Sequence, residues 1–189
     1  MYTDLVRKME RLKTLFEREN HIELRKFSNE MIEQAAVEND RILAEISVIA
    51  YSLLKIESKE HIVKSGKWPK VKQAISDAIA KGISSLEKSK FWIFKVDLER
   101  IAKNVASVDN YLGMYVQKTS DKARIKQASR AYAAGMSMRQ ASALAGAEPS
   151  QVMEYIGRTK IHEEARSDLG IKDRINKFRQ STRGQGAGK

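Results

Sequence analysis

The sequence predicts an all-α chain: an N-terminal helical bundle containing one long heptad-patterned helix, then a small C-terminal tri-helical unit and a flexible basic tail. Three observations carry this. Apolar residues recur at spacings of three and four through most of the chain. Only two of 189 residues are Pro, too few for a turn-rich β architecture. No stretch alternates apolar and polar side chains as a half-buried strand does. An apolar content of 42% is enough for a core and argues against global disorder. The absence of Cys excludes a disulfide scaffold, a thiolate zinc site and a cysteine nucleophile.

The elements follow in order. Leu5, Met9, Leu12 and Phe16 form one helical stripe over residues 3–19, with Thr3 and Asp4 available to cap its first turn. Leu24, Phe27, Met31 and Ala35 share a face of a second helix, about 22–37. Asn39-Asp40 caps a third, whose residues Ile42, Ile46, Ile49, Leu53 and Ile56 are widened by Leu43, Ala50 and Leu54; this helix should be central and well buried. Lys64-Ser65-Gly66-Lys67 is a break. Trp68-Pro69 then opens a helix that continues to about Leu86, with Pro suited to a first turn. Phe94, Leu98, Ile101, Val105, Val108, Leu112 and Tyr115 alternate spacings of four and three over about three heptads. That seam fits a helix buried lengthwise in a bundle, or a coiled-coil-like pairing with a second copy. The pattern does not separate the two, so Leu98, Ile101, Val105, Val108 and Leu112 are also candidates for a homodimer seam.

Charge is unevenly distributed. The net charge is +11, composed of −2 over residues 1–54, +6 over 55–103, −1 over 104–117 and +8 over 118–189. A basic C-terminal third suggests a polyanion partner such as nucleic acid, or a charged, solvated tail. Met1-Tyr2-Thr3-Asp4 starts no apolar signal region. The most apolar stretch, Ile42 to Leu54, carries Glu45, Ser47 and Ser52 and is shorter than the roughly 20 residues of a membrane span. The expectation is a soluble, cytoplasmic protein without a membrane partner.

Residues 121–157 change character. Ile125, Ala128, Ala131 and Tyr132 lie on one side of a helix that Gly135 ends. Ser137 caps a short Ala-rich helix, Met138 to Ala145, which Gly146 ends. Glu148-Pro149-Ser150 starts a third, to Ile156, closed by Gly157. Three short helices joined by tight turns are the skeleton of a helix-turn-helix. Its packing demands are met: small inward residues Ala141, Ser142 and Ala145 where helices cross, Gly146 where the turn needs positive φ, and Val152 as the core plug, with Tyr155 and Ile156 completing the buried side.

The stretch from Gln140 to Ile156 resembles the helix-turn-helix of DNA-binding repressors. The longer piece from Ala128 to Ile161 is similar to small helix-turn-helix antitoxin-like proteins found beside PIN-type nuclease toxins in archaea and bacteria. It shares the Tyr132, Gly135, Ser137 and Ala141 pattern followed by Leu144-Ala145-Gly146. The resemblance covers about 35 residues, and residues 1–120 resemble no family. It implies that the last helix enters the major groove, which carries base contact onto Pro149, Ser150, Gln151 and Glu154. Gln151 suits adenine, Glu154 a cytosine amino group, and Ser150 a phosphate or base. Arg158 and Lys160 just past that helix, with Ser137 and Arg139 before it, suit phosphates. Glu148 and Glu154 depart from a uniformly basic reading surface, so affinity would lean on flanking cations such as Lys172, Arg174, Lys177, Arg179 and Arg183.

The organisation expected is therefore a 1–117 bundle for dimerisation or partner binding, a 118–160 helix-turn-helix, and a basic, partly disordered tail over 161–189. The function expected is DNA binding in transcriptional regulation, with double-stranded DNA as partner. The competing reading is an interaction protein, such as an antitoxin-like partner or an assembly subunit, using the same helices for protein contacts.

Other chemistry is discounted. His21, His61 and His162 are far apart and lack ligand-like spacing, and no metal or cofactor site stands out. Arg158 and His162 fall short of the Arg-to-His spacing of HEPN-type helical ribonucleases. The Gly-rich run 184–189 lacks the strand and helix of a phosphate loop. Glu17/Glu19 and Glu30/Glu33 read as solvated faces with i,i+4 Lys or Arg neighbours. Trp68, Phe91, Trp92 and Phe94, near the basic segment, read as core anchors or base-stacking groups, with Trp92 turned away from the seam. No acid, base, nucleophile and orienter constellation marks an enzyme.

Overall fold

The computed structural model describes residues 2–111 and 119–159. Every regular element among them is an α-helix: α1 (Thr3–Glu17), α2 (His21–Glu38), α3 (Arg41–Glu57), α4 (Glu60–Val63), α5 (Trp68–Glu87), α6 (Phe91–Tyr111), α7 (Thr119–Ala133), α8 (Met138–Ala145) and α9 (Pro149–Arg158). The all-α class is the one the sequence predicts. Leu112, Tyr115, Lys160 and the 161–189 tail lie outside the described residues. The chain divides into two compact units: residues 1–30 with 45–123, and residues 31–44 with those from Arg124 on. The turn between α2 and α3, which the spacing assigns to the 1–117 bundle, groups with α7–α9.

In the first unit α5 packs against both α1 and α6. Its core takes Met9, Leu12 and Phe16 from α1, Leu24 and Phe27 from α2, Ile75, Ile79 and Leu86 from α5, and the stripe of α6. As expected, α3 is central: Ile46, Val48, Ile49, Ala50, Leu53, Leu54 and Ile56 are all buried, so apolar side chains cover most of its circumference. The serines and Asp97 inside this core are matched. Ser28 Oγ donates to the Ser47 carbonyl at 3.0 Å and Ser47 Oγ to the Ser28 carbonyl at 2.7 Å, tying α2 to α3. Ser85 Oγ donates to buried Asp97 Oδ2 at 2.7 Å, tying α5 to α6.

The heptad seam resolves in favour of intramolecular packing. Phe94, Leu98, Ile101, Val105 and Val108 are all buried within the chain itself. Gly82 of α5 lies beside them: a Cβ built there would stand 3.7 Å from both Phe94 and Ile101 side-chain atoms. Burying each such side chain is worth about 1.5–3 kcal/mol, which the chain gains without a second copy. The homodimer reading of Leu98, Ile101, Val105 and Val108 is thereby corrected, because their surface is already spent inside one chain.

Helix ends differ in detail from the sequence expectations. Neither Thr3 nor Asp4 caps α1, whose N-cap is Tyr2 without a side-chain bond; Asp4 instead sits in the first turn and pairs with Lys8. Asp40 caps α3, its Oδ1 accepting from the Ile42 N–H at 2.7 Å and the Leu43 N–H at 3.2 Å. Asn39 takes a different role, holding φ +53° at the end of α2. The four-residue α4 falls between the α3 stripe and the 64–67 break and was not expected.

Val105→Asp tests the seam. A carboxylate in this buried stripe should cost on the order of 3 kcal/mol or more and lower the thermal midpoint of a cooperative helix-to-coil transition. Sedimentation should find no folded dimer that splits into folded monomers; finding one would return the seam to an interface.

Candidate nucleic-acid interface

The α7–α9 region is built on small residues. Ala128 of α7, Ala145 of α8 and Val152 of α9 form a buried cluster, with Ile125, Met138, Ala147 and Ile156 packed against it. Alanines at the contacts let helix backbones approach closely. α7 ends at Gly135, φ +111°, with the Met136 N–H donating to the Ala131 carbonyl at 3.3 Å. Ser137 then opens α8 with a capping box: its Oγ accepts from the Gln140 N–H at 3.2 Å, while the Gln140 side chain accepts from the Ser137 N–H at 3.2 Å.

α8 stops at Gly146 in the left-handed region, φ +67°, ψ +41°, where the Ala147 N–H donates to the Ser142 carbonyl at 2.9 Å. Arg124 Nη1 reaches in from α7 and donates to the Ala145 carbonyl at 3.0 Å, satisfying an orphan acceptor of the helix end. Pro149 sits in the first turn of α9. The helix continues two residues beyond Ile156, so Gly157 does not stop it and Arg158 belongs to its last turn.

The structure sorts the residues singled out by the sequence. Ala141, Ser142, Ala145 and Val152 are buried, and Tyr155 is half-buried. Lys126 Nζ lies 5.5 Å above the Tyr155 ring, and burial pushes that phenol above its ordinary range. Ser137, Arg139, Pro149, Ser150, Gln151, Glu154 and Arg158 are exposed. Three of them, Ser137, Glu154 and Arg158, are engaged locally. The Ser137 hydroxyl also donates to Gln140 Oε1 at 2.8 Å. Arg158 Nη2 pairs with Glu154 Oε1 at 2.5 Å, one turn back on the same helix. Residues 119–159 carry six basic and three acidic side chains. Arg130 among them pairs with Glu33 at 3.4 Å.

Of the four aromatics near the basic segment, Trp68 and Phe94 are core residues, and Phe91 stacks on Tyr2 with centroids 4.9 Å apart. Trp92 is the exception at 76% exposed, beside exposed Ile93 and Val96. Among the described residues no helix is long and apolar enough to cross a membrane, and no group of three His, Asp or Glu is placed to hold a metal ion.

One constellation escaped the sequence reading. Glu57, the last residue of α3, has a side chain only 2% exposed, and neither carboxylate oxygen has a hydrogen-bond partner. Its nearest nitrogen atoms are His21 Nε2 at 3.5 Å from Oε2 and Lys72 Nζ at 3.7 Å from Oε1. Lys72 is committed elsewhere, to Glu19 Oε1 at 2.5 Å. His21, dismissed as solitary in sequence, thus meets a carboxylate 36 positions away. Glu17 and Glu19 face solvent as expected, and Glu17 accepts from its i,i+4 neighbour Lys13 at 2.6 Å; beyond that expectation Glu17 also accepts from the Ser76 hydroxyl and Glu19 from Lys72, and these bonds hold both carboxyls below the usual range. Burial pushes the Glu57 carboxyl up to about 7, opposed by Lys72 and reinforced by the negative charge of Glu19.

No known family model, curated protein or solved structure is detectably similar to this chain.

Two measurements check this geometry. Gly146→Ala forces a Cβ into a left-handed position and to within 2.9 Å of Arg124 Nη1. It should cost about 1–2 kcal/mol in denaturant unfolding, with Gly146→Asn costing less. For Glu57, the folded carboxyl titrates above its unfolded value of 4.5, so the folded state binds the extra proton between the two values. Stability is therefore lost as pH rises through that window, and the penalty is complete above about 7. Relative to wild type, Glu57→Gln should gain on the order of 2 kcal/mol between pH 5 and pH 8, allowing for solvent screening at the pocket mouth. A pH-independent difference would contradict the burial argument.

Proposed function

We propose that α7–α9 act as a helix-turn-helix that binds double-stranded DNA through α9, in transcriptional regulation. The observation that carries the reading is the division of α9 into two faces. Val152 is fully buried, while Ser150, Gln151, Glu154 and Arg158 stand exposed along the other side. A short helix anchored by one plug and set by a tight left-handed turn presents its first exposed residues to a groove. Gln151 offers the donor and acceptor pair that matches adenine, and Arg139 and Arg158 offer phosphate contacts. The Glu154–Arg158 pair makes Arg158 a conditional phosphate ligand, because a phosphate must compete with the carboxylate. Lys160 and the tail cations would add salt-dependent affinity. Any pairing of two modules on two half-sites requires a surface other than the buried α6 stripe.

A second reading, contact with a protein partner, is favoured by Met153, which is 63% exposed in the middle of α9 between acidic Glu148 and Glu154.

Anisotropy titrations with random-sequence duplex separate the readings. DNA binding predicts an affinity that falls steeply with salt. Gln151→Ala should change sequence preference by about 1–3 kcal/mol at one base pair, whereas Arg158→Ala should weaken all duplexes alike. Glu154→Gln releases Arg158 and should tighten non-specific binding several-fold. Undetectable duplex binding at low salt would remove the proposal, and a co-purifying protein lost on Met153→Asp would replace it.

A further inference from the structure

Glu57 lines a cavity of about 290 Å³ in the first compact unit, shared with Glu19, His21, Val63 and Trp68. The lining is rich in acceptors. Glu57 Oε1 and Oε2 and His21 Nε2 are all buried without a hydrogen-bond partner. The two carboxylate oxygens constitute an unmet demand for donors, because they have lost water without a hydrogen bond in replacement, and His21 Nε2, 3.5 Å from Oε2, adds a third acceptor when its proton is on Nδ1. The cations nearby do not meet it: Lys72 is bonded to Glu19 at 2.5 Å, and Lys64 on the cavity lining is bonded to Glu60 at 2.5 Å.

We propose that this cavity binds the protonated amino group of a small primary alkylamine, with the ammonium donating to Glu57 and to His21 Nε2. The chemistry selects this class on three grounds. The unpartnered Glu57 oxygens are acceptors, so the ligand must bring N–H or O–H donors. The lining holds three carboxyl groups, Glu19, Glu57 and Glu60; Glu19 and Glu60 each have a lysine at 2.5 Å, whereas Glu57 has only the shared Lys72 at 3.7 Å, so it is the least compensated and a cation placed against it completes its pairing. A quaternary ammonium carries the charge but no N–H, and leaves the acceptors unmatched.

Trp68 supplies an aromatic wall and Val63 an apolar one for the alkyl chain. A metal ion is a poorer fit, since no three acidic or imidazole groups among the described residues are placed to ligate one. With its proton on Nδ1, the His21 imidazole receives a donor at Nε2. The cavity belongs to the first compact unit, and the inference does not depend on the proposed DNA contacts of α9.

The chain carries a useful reporter. Its two tryptophans are Trp68, which lines the cavity, and Trp92, which is exposed, so a Trp92→Phe background leaves Trp68 as the sole indole. Calorimetry and Trp68 fluorescence of the full chain are followed with butylamine and 1,4-diaminobutane, and with tetramethylammonium as the donor-free cation. The expected result is saturable one-site binding of the primary amines at millimolar concentration or below. Tetramethylammonium should bind at least tenfold more weakly, and Glu57→Gln should weaken amine binding at least tenfold. Should Glu57→Gln fail to fold, the wild-type melting temperature decides: primary amine raises it and tetramethylammonium at equal ionic strength does not. Absence of saturable binding, equal binding of the two cation types, or an unaffected Glu57→Gln would each overturn the proposal.

Discussion

A helix that ends inside a small protein leaves carbonyls without partners, and the chain must also leave the helix axis within a few residues. Five helices among the described residues solve both problems with one device. The first or second residue after the helix takes a left-handed conformation, and the next N–H donates five residues back: Asn20 to Leu15, Asp40 to Ala35, Lys90 to Ser85, Met136 to Ala131 and Ala147 to Ser142. The left-handed residues are Glu19, Asn39, Ser89, Gly135 and Gly146. Because each hook fixes where the next helix can begin, connections shrink to between two and four residues, and the following helix must find its partners locally. The functional candidates inherit that geometry. Glu19 owes its position beside Lys72 to a hook, and α9 takes its direction from the one at Gly146.

The stripes, and therefore the helices, were readable from spacing because core burial imposes a period of 3.6 on whatever apolar residues are available. Gly135 and Gly146 were readable as stops because glycine adopts positive φ at no cost. Glu19 and Ser89 were not, because a side chain in the left-handed region carries no signature of its own; it is tolerated where the rest of the turn enforces it. Asn39 shows the intermediate case, an Asx residue that looked like a cap and serves as a stop. On α9 the buried and exposed faces followed from the same periodicity, but the Glu154–Arg158 pair depended on the helix running past Gly157, which propensity argues against.

The cavity at Glu57 illustrates what linear reading misses. Glu57 continues the apolar run of α3 by one residue and looks like a polar terminus. Its burial comes from tertiary packing around residues near 19–21, 60–72 and 57 itself, three separate parts of the chain. No spacing rule connects His21 to Glu57, so weighing each histidine alone gives the wrong prior. The one available signal was chemical: a carboxylate adjoining a helix that is apolar around nearly its whole circumference has few solvent-facing places to go.

That carboxylate also bears on how the chain is organised. Among the described residues of the first unit the buried serines and Asp97 have their hydrogen bonds. Glu57 is kept ionisable, sequestered and without a hydrogen bond, at a position where Leu or Gln would remove the desolvation cost. Its longer-range pairing with Lys72 offsets only part of that cost, since Lys72 is already closer to Glu19. Stability alone gives no reason to hold such a group. A ligand that supplies donors does, because the interaction it gains is the one the folded chain lacks, and the free energy missing from folding becomes available to binding.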